Sequence, residues 1–205
     1  MHTYLAPDAA VATPVRERTD LAPSDTWNLD DIFPNVEGWE DAYQSLDQQI
    51  IAYARRKGTL ANGPAALLEA LHASDTLGQL AYKVYYYCSL RYDEDTRNNE
   101  ANARRQRVQV LLAKWRQATS WFNPELLAIS RDTIRQWFDD LPALALYRFA
   151  LEELYRQQEH VLDEKGERLL SLSAQFGTSP DDTYEALSTA DMKFPAVTLS
   201  TGETV

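Results

Sequence analysis

The sequence contains little glycine, one cysteine and no long hydrophobic run. Its seven glycines are widely scattered and cannot form a phosphate-binding loop or a dinucleotide fingerprint, which need several glycines at short fixed spacings. The single cysteine, Cys88, excludes an internal disulfide, and its apolar neighbours predict a small buried side chain. No stretch approaches the roughly 18 apolar residues of a membrane span. The first 24 residues also lack the pattern of a signal peptide. We therefore expect a cytoplasmic protein with no membrane partner.

Positive charge is scarce as well. The chain has 31 acidic and 20 basic residues, which gives a formal net charge of -11. Its basic clusters, at 55–57 and 104–107, lie in predicted helices surrounded by acidic residues. They are typical of solvated helix faces, because binding to nucleic acid phosphates needs Lys and Arg gathered into one patch. We therefore expect no nucleic acid partner.

Histidine is too sparse for a helical zinc motif, in which two histidines four residues apart face one ion. His2, His72 and His160 are the three histidines, and no two are close in sequence. His160 is followed by Asp163, Glu164 and Glu167, so a metal-dependent hydrolase site at His160 stays open as a weak alternative. Carboxylates at that position more often cap a helix. The sequence thus predicts no zinc ligand and no catalytic residue in this chain.

Helix-forming residues dominate what is present. Apolar residues recur at three- and four-residue steps along most of the chain, as on amphipathic helices. Helix-starting signals precede several of these stretches, such as Gly63-Pro64, Asn123-Pro124 and Ser179-Pro180. The pattern predicts an all-α fold, a multi-helix array with antiparallel helix hairpins. The predicted helices cover about 39–57, 64–95, 98–121, 123–138, 142–158, 163–176 and 179–190.

The two ends of the chain differ from its helical middle. Residues 1–24 are rich in Ala, Pro, Thr and charge, which predicts a flexible tail. Ordered structure is expected from about residue 25, where Trp27, Leu29, Ile32 and Phe33 are expected to anchor an irregular segment to a helical lobe that extends to 192. Residues 193–205 alternate like a strand, turn, and begin a return strand. We expect a short, incomplete β-hairpin there, which leads into a catalytic region outside this chain.

A tyrosine cluster is the most unusual local feature. Tyr82, Tyr85, Tyr86, Tyr87 and Tyr92 fall within one predicted helix. Aromatic side chains at consecutive positions surround a helix, and they are typical of one buried on several sides. The functional alternative is a cleft wall that contacts peptide backbone. Tyr85, Tyr86 and Tyr87 are therefore weak candidates for substrate binding.

Four segments together resemble the oligoendopeptidase F family of zinc metallopeptidases, relatives of thimet oligopeptidase. The first is Thr26-Trp27-Asn28-Leu29-Asp30-Asp31-Ile32-Phe33-Pro34. The others are 85–90, 160–171 and 186–195. The resemblance covers about 24–205. It implies the N-terminal portion of a clam-like helical enzyme whose zinc site, with its His-Glu-x-x-His helix, lies in the other half.

The resemblance implies a function that this chain cannot perform alone. It would form one wall of a channel that admits oligopeptide substrates, and its partner would be the C-terminal catalytic region of the same enzyme, where zinc is bound. We expect the isolated chain to be inactive and to expose an apolar surface. The alternative is a stand-alone helical interaction module from a split or decayed peptidase gene, without catalysis.

Overall fold

The computed structural model describes residues 20–177, 179–188, 192, 195–202 and 204, and most of them are helical. Short 3-10 turns connect several of the helices, and no strand occurs in the described ranges. The all-α prediction is confirmed. The α-helices are α1 (Val36–Ala54), α2 (Pro64–Glu94), α3 (Asn99–Thr119), α4 (Phe122–Leu127), α5 (Arg131–Asp140), α6 (Arg148–Arg156), α7 (Glu164–Gly177) and α8 (Ser179–Ala186).

The chain divides into two compact units. The larger unit comprises Asn28–Gly177 and contains α1 to α7. The smaller unit comprises Met1–Trp27 and Thr178–Val205 and contains α8. The predicted flexible tail over 1–24 falls mainly on residues 1–19, which lie outside the described residues. The predicted boundaries at 24 and 192 therefore stay predictions.

The core of the larger unit lies among α1, α2 and α3, which pack against one another. On α1 the buried side chains are Trp39, Leu46, Ile50 and Tyr53, which are three to seven residues apart and so share one face. Each such side chain stabilises the fold by roughly 1.5–3 kcal/mol on burial. The Trp39 indole Nε1 donates a hydrogen bond to the Val84 carbonyl oxygen at 3.0 Å. Since Trp39 lies near the start of α1 and Val84 lies in the second half of α2, these helices run antiparallel.

Two ion pairs cross from α1 to α3. Arg107 binds the Glu40 carboxylate through both terminal nitrogens, at 2.8 and 2.9 Å. Lys114 binds Asp47, one step of seven residues further along each helix. The Arg107 guanidinium also lies over the ring of Tyr43, 4.6 Å from its centroid. The two pairs fix how α1 and α3 align along their axes.

Side-chain caps determine where the first and third helices begin. The Asn35 side chain accepts the backbone N–H of Gly38 at 2.8 Å at the start of α1. The Asn98 side chain accepts two backbone N–H groups, both at 3.0 Å, at the start of α3. Such oxygens satisfy N–H groups that have no partner inside the helix. The second helix begins at Pro64, as predicted from Gly63-Pro64.

The prediction of one helix over 123–138 is wrong. The structure ends α4 at Leu127 and starts α5 at Arg131. The Ser130 hydroxyl accepts the backbone N–H of Thr133 at 3.1 Å and caps a new helix. The helix predicted over 142–158 is also corrected, because it begins as 3-10 helix over Pro142–Tyr147 and is α-helical only from Arg148.

Several large apolar side chains are exposed. Trp27, in the smaller unit, is 85% exposed, and its expected contact with the helical core stays a prediction. Leu29 is buried, and Ile32 and Phe33 pack against the core, as expected. Three leucines of α7 are about half exposed, namely Leu169, Leu170 and Leu172. Leu146, in the 3-10 helix before α6, and Phe149, in α6, are 79% and 84% exposed.

Cys88 is buried, as predicted, and burial raises the pKa of its thiol to about 12, so it stays protonated and unreactive at neutral pH.

Near the C-terminus, Thr198 and Thr204 form an isolated antiparallel bridge around a turn in which the Gly202 N–H donates to the Leu199 carbonyl at 2.9 Å. The incomplete β-hairpin over 193–205 stays a prediction, because part of that range lies outside the described residues.

Candidate functional site

The tyrosine cluster lies on the second half of α2, and the structure separates its members. Tyr82 and Tyr86 are exposed, Tyr85 is half-buried and Tyr87 is buried. The helix repeat explains the separation, because residues four apart lie on one face whereas adjacent residues point about 100° apart. The cluster is thus an exposed face and a core contact, and it is not a single wall of tyrosines.

Tyr87 holds the irregular entry segment, residues 28–35 before α1, against α2. Its ring meets that of Phe33 edge to face, with the ring centroids 5.5 Å apart. The Arg91 guanidinium lies 5.3 Å from the centroid of the Tyr87 ring and binds the Asp30 carboxylate at 2.8 Å. These contacts occupy the ring on the inner side of α2. The structure therefore gives Tyr87 a packing role.

Tyr82 and Tyr86 form an exposed aromatic pair. Their rings stack with centroids 5.8 Å apart and planes 13° apart, and Tyr85 meets Tyr86 edge to face at 5.3 Å. Tyr82 is 62% and Tyr86 47% exposed. Stacking fixes the orientation of both rings while leaving their outer faces and hydroxyls accessible. Such a surface can pack against an extended peptide and hydrogen-bond to it.

The residues around His160 do not converge on one point. The Asp163 carboxylate accepts the backbone N–H of Gly166 at 2.8 Å and caps α7, and Glu167 accepts the backbone N–H of Leu162 at 3.0 Å. Glu164 pairs with Lys57 at 2.5 Å. Across the described ranges, no group of three or more His, Cys, Asp and Glu could hold a metal ion. The described residues therefore do not provide the donor set of a zinc site.

A cavity that sequence analysis did not anticipate lies where α1, α2, α3, α4 and α7 meet. Its volume is about 460 Å³, within the usual range of small-molecule pockets. Aromatic and aliphatic side chains form part of its wall, with hydroxyl groups and two charged side chains between them. The lining residues include Trp115, Arg116, Phe122, Asn123, Glu167 and Leu170.

Three hydroxyl groups of the cavity already donate their protons to backbone carbonyls. Thr119 donates to the Trp115 carbonyl at 3.0 Å, Ser120 to the Gln117 carbonyl at 2.9 Å and Ser171 to the Arg168 carbonyl at 2.7 Å. A hydroxyl oxygen that has donated can still accept. These groups can therefore receive N–H donors from a ligand but have no proton left to offer it.

Only part of this cavity could have been predicted. Trp115 stands on the apolar face that the periodicity of α3 predicts, and α7 was predicted from Asp163 onward. No signal in the sequence pairs these two helices, which are separated by three further helices in the chain. Arg116 resembles any other arginine on a charged helix. Its position beside the cavity became evident only from the packing of α7 on α3.

None of the described helices is both long and apolar enough to cross a membrane.

Comparison with known proteins gives one consistent result. A model of the N-terminal region of a peptidase family, described as Oligopeptidase F, matches residues 125–194. Oligopeptidase PepF of Bacillus subtilis is 32% identical over 186 residues, which are 91% of this chain and 28% of the relative. The chain belongs to the oligoendopeptidase F family. An oligoendopeptidase F homolog of Lactococcus lactis is 26% identical over 183 residues, 89% of this chain and 30% of that protein.

A solved structure of the oligoendopeptidase F family also matches. The crystal structure of oligoendopeptidase-F from Enterococcus faecium superposes with a TM-score of 0.72 at 31% sequence identity. The match covers 82% of this chain and 32% of that structure. The resemblance drawn from the four sequence segments is confirmed, as is its restriction to an N-terminal portion. The chain spans about 30% of the length of the family members that it matches.

Proposed function

We propose that this chain is the helical N-terminal lobe of a cytoplasmic, zinc-dependent oligoendopeptidase that hydrolyses peptide bonds in short peptides. The observation that carries this proposal is the alignment of 91% of the chain with Oligopeptidase PepF at 32% identity. The chain aligns with about 30% of the length of such enzymes, so it corresponds to one part of each enzyme. The proposed part is a wall of the substrate channel.

The exposed tyrosine pair is the proposed peptide contact of this wall. Tyr82 and Tyr86 present fixed, accessible rings, which pack against peptide side chains of many kinds without selecting one. Tyr85 would support the pair through its edge-to-face contact with Tyr86. Tyr87, although a candidate from sequence, would act through packing because it is buried beneath Phe33 and Arg91.

Zinc and the catalytic residues are proposed to lie in the C-terminal region of the complete enzyme. The described residues offer no cluster of metal donors, and the carboxylates near His160 already hold a helix cap, a backbone N–H and a lysine. The 205-residue chain is therefore proposed to be inactive alone.

The proposed partner of this lobe is that C-terminal region. Leu146 and Phe149 are 79% and 84% exposed, and the leucines of α7 add further exposed apolar surface. These side chains are proposed to form one contiguous apolar patch, because large exposed patches of this kind are typical of surfaces that another polypeptide covers. The incomplete β-hairpin over 193–205 is proposed to lead into the partner region.

Assays of two polypeptides test the proposal. The reading frame that contains this chain is expressed in full, and the 205-residue chain is expressed alone. Both are incubated with short fluorescence-quenched peptides. We expect cleavage by the longer protein, loss of cleavage with a chelator, and no cleavage by the chain alone. A longer product without peptidase activity, or a frame that ends with this chain, would favour the stand-alone interaction module instead.

A variant pair tests the tyrosine surface in the complete enzyme. Tyr86→Ala is expected to raise KM for short peptides while changing kcat less, because the ring binds substrate and does not react. Tyr184→Ala is the matched control, since Tyr184 is 69% exposed but lies on α8. An unchanged KM in the Tyr86→Ala enzyme would remove Tyr86 from the substrate site.

A further inference from the structure

Two opposite charges line the cavity of α3 and α7 without neutralising each other. Arg116 of α3 and Glu167 of α7 both border the cavity, yet they form no ion pair with each other or with any other described residue. Most arginines of the described ranges, by contrast, are paired, as Arg107 is with Glu40 and Arg131 with Glu152. A cation and an anion that face one cavity at separate positions make it dipolar, and this favours a ligand with the complementary arrangement of charges.

Arg116 has the chemistry to bind a carboxylate. Its guanidinium presents several N–H donors in a planar fork that matches the two oxygens of a carboxylate. The side chain of Asn123, which also lines the cavity and has no hydrogen bond to another described residue, can add a further N–H donor. The chain has a net charge of -11. The Arg116 guanidinium is therefore a positive charge on a protein whose net charge is strongly negative.

Glu167 has the chemistry to bind an ammonium or amide N–H. One of its carboxylate oxygens, Oε1, accepts the Leu162 N–H at 3.0 Å, which holds the side chain in place. The other oxygen has no partner among the described residues. The hydroxyl oxygens of Thr119 and Ser171 can accept as well, since their protons are already donated to backbone carbonyls.

The remaining wall of the cavity is apolar and aromatic. Trp115 and Phe122 contribute rings, and Leu170, which is 55% exposed, contributes an aliphatic edge. A ligand that fills this space therefore needs a carboxylate, an ammonium and an apolar side chain. Short peptides with free ends combine all three, and a volume of about 460 Å³ is of the small-molecule class.

We propose that this cavity binds a short zwitterionic peptide, with its terminal carboxylate at Arg116, its terminal ammonium at Glu167 and an apolar side chain against Trp115 and Phe122. The ligand is of the size that peptide hydrolysis releases, so the cavity is a second peptide site, distinct from the tyrosine pair of α2. The choice of a peptide as the ligand rests on the proposed function, whereas the site itself rests on the lining residues.

Binding is measured on the 205-residue chain by nuclear magnetic resonance, with the Trp115 indole N–H as reporter. The probes are the dipeptide leucyl-phenylalanine, its C-terminal amide and its N-acetyl derivative. We expect the free dipeptide to shift the Trp115 signal saturably. We expect each blocked form to bind about tenfold more weakly, because each lacks one charge and so one charge-assisted contact.

Matched variants assign each end of the ligand. Arg116→Gln should weaken the free dipeptide about tenfold but leave the amide nearly unaffected, since the amide has no carboxylate to lose. Glu167→Gln keeps the oxygen that accepts the Leu162 N–H and should act in the same way on the ammonium end. Arg168→Gln and Glu159→Gln are the controls, because both side chains lie outside the cavity lining.

Equal binding of the three probes, or equal effects of Arg116→Gln and Arg168→Gln, would overturn the site. So would the absence of a saturable shift at Trp115. These results would leave the peptidase proposal intact, since they concern binding to this chain and not hydrolysis. Conversely, a zwitterion-specific site in a protein that hydrolyses no peptide would keep the cavity and remove the proposed function.

Discussion

The carboxylate of Glu125 accepts the backbone N–H of Gly58 at 2.7 Å across 67 residues of sequence. Its second oxygen accepts the N–H of Leu60 at 2.8 Å. One side chain on α4 thus satisfies two donors in the loop that joins α1 to α2. The side chain of Leu60 is fully buried, so the bonds also hold an apolar anchor of the core in place.

Replacement of Glu125 by alanine should destabilise the protein by roughly 1–3 kcal/mol, because two loop N–H groups lose their acceptor and that of Leu60 is part-buried. Glu125→Gln should have a smaller effect, since one carbonyl oxygen remains. Urea unfolding measures both variants. Asp41→Ala, at an exposed position of α1 with no hydrogen bond to another described residue, is the control. A Glu125→Ala protein as stable as the Asp41→Ala protein would contradict the role of this carboxylate.

Gly58 should resist substitution for a backbone reason alone. Its φ is +83°, and a Cβ added there would meet nothing within 4 Å. Gly58→Ala should therefore destabilise the protein by about 1–2 kcal/mol through the left-handed conformation. Gly177→Ala, where φ is not in this region and the space is equally open, should be neutral. Thermal unfolding distinguishes the two, and equal melting temperatures for the two variants would refute the explanation.

Tyr155 should make stability sensitive to alkaline pH. Its hydroxyl donates to the carbonyl oxygens of Ile129 and Leu126, at 2.8 and 3.0 Å, and burial raises the pKa of the phenol to about 12. Because the pKa is higher in the folded than in the unfolded state, the stabilisation is present below pH 10 and is lost as pH rises towards 12. At neutral pH, Tyr155→Phe should lose about 1 kcal/mol. Denaturant unfolding of both proteins across this range should give a difference that shrinks above pH 10, and a constant difference would exclude the linkage.

The pair of Glu40 and Arg107 should act at the acidic end of the pH range. The hydrogen bonds from Arg107 hold the pKa of Glu40 below its usual value of 4.5. A depressed pKa means that the stabilisation is present above the unfolded value and is lost as pH falls through the folded one. Both side chains are partly exposed, so the contribution should stay below about 1 kcal/mol. A carbon-detected titration of Glu40 should move towards 4.5 in the Arg107→Gln protein, and an identical midpoint in both proteins would show that the pair is not formed.

The sequence determines the first three helices well because their signals are local and agree with one another. The apolar repeat of Trp39, Leu46 and Ile50 and the Gly63-Pro64 start describe α1 and α2 without any knowledge of packing. The region from 123 to 138 is harder, because Ser130 can either continue a helix or cap a new one. The choice depends on how α4 and α5 pack elsewhere, which periodicity does not encode.

The candidate sites also combine features that the sequence predicts with features that depend on packing. A cluster of tyrosines is visible in the sequence, but which of Tyr85, Tyr86 and Tyr87 is accessible depends on the face of α2 that meets the entry segment. Arg116 and Glu167 border one cavity, although they lie on α3 and α7, which are not neighbours in the chain. No short-range pattern carries that information.

The constant offset between the two ion pairs of α1 and α3 has an electrostatic consequence. Glu40 with Arg107 and Asp47 with Lys114 are both 67 residues apart, so α1 and α3 run parallel while α2 runs against α1. Two of the three helix dipoles therefore point the same way, and one remains uncompensated, with its positive end where α1 and α3 begin. Glu37 and Glu100 lie in the first turns of these two helices and place negative charge at that end.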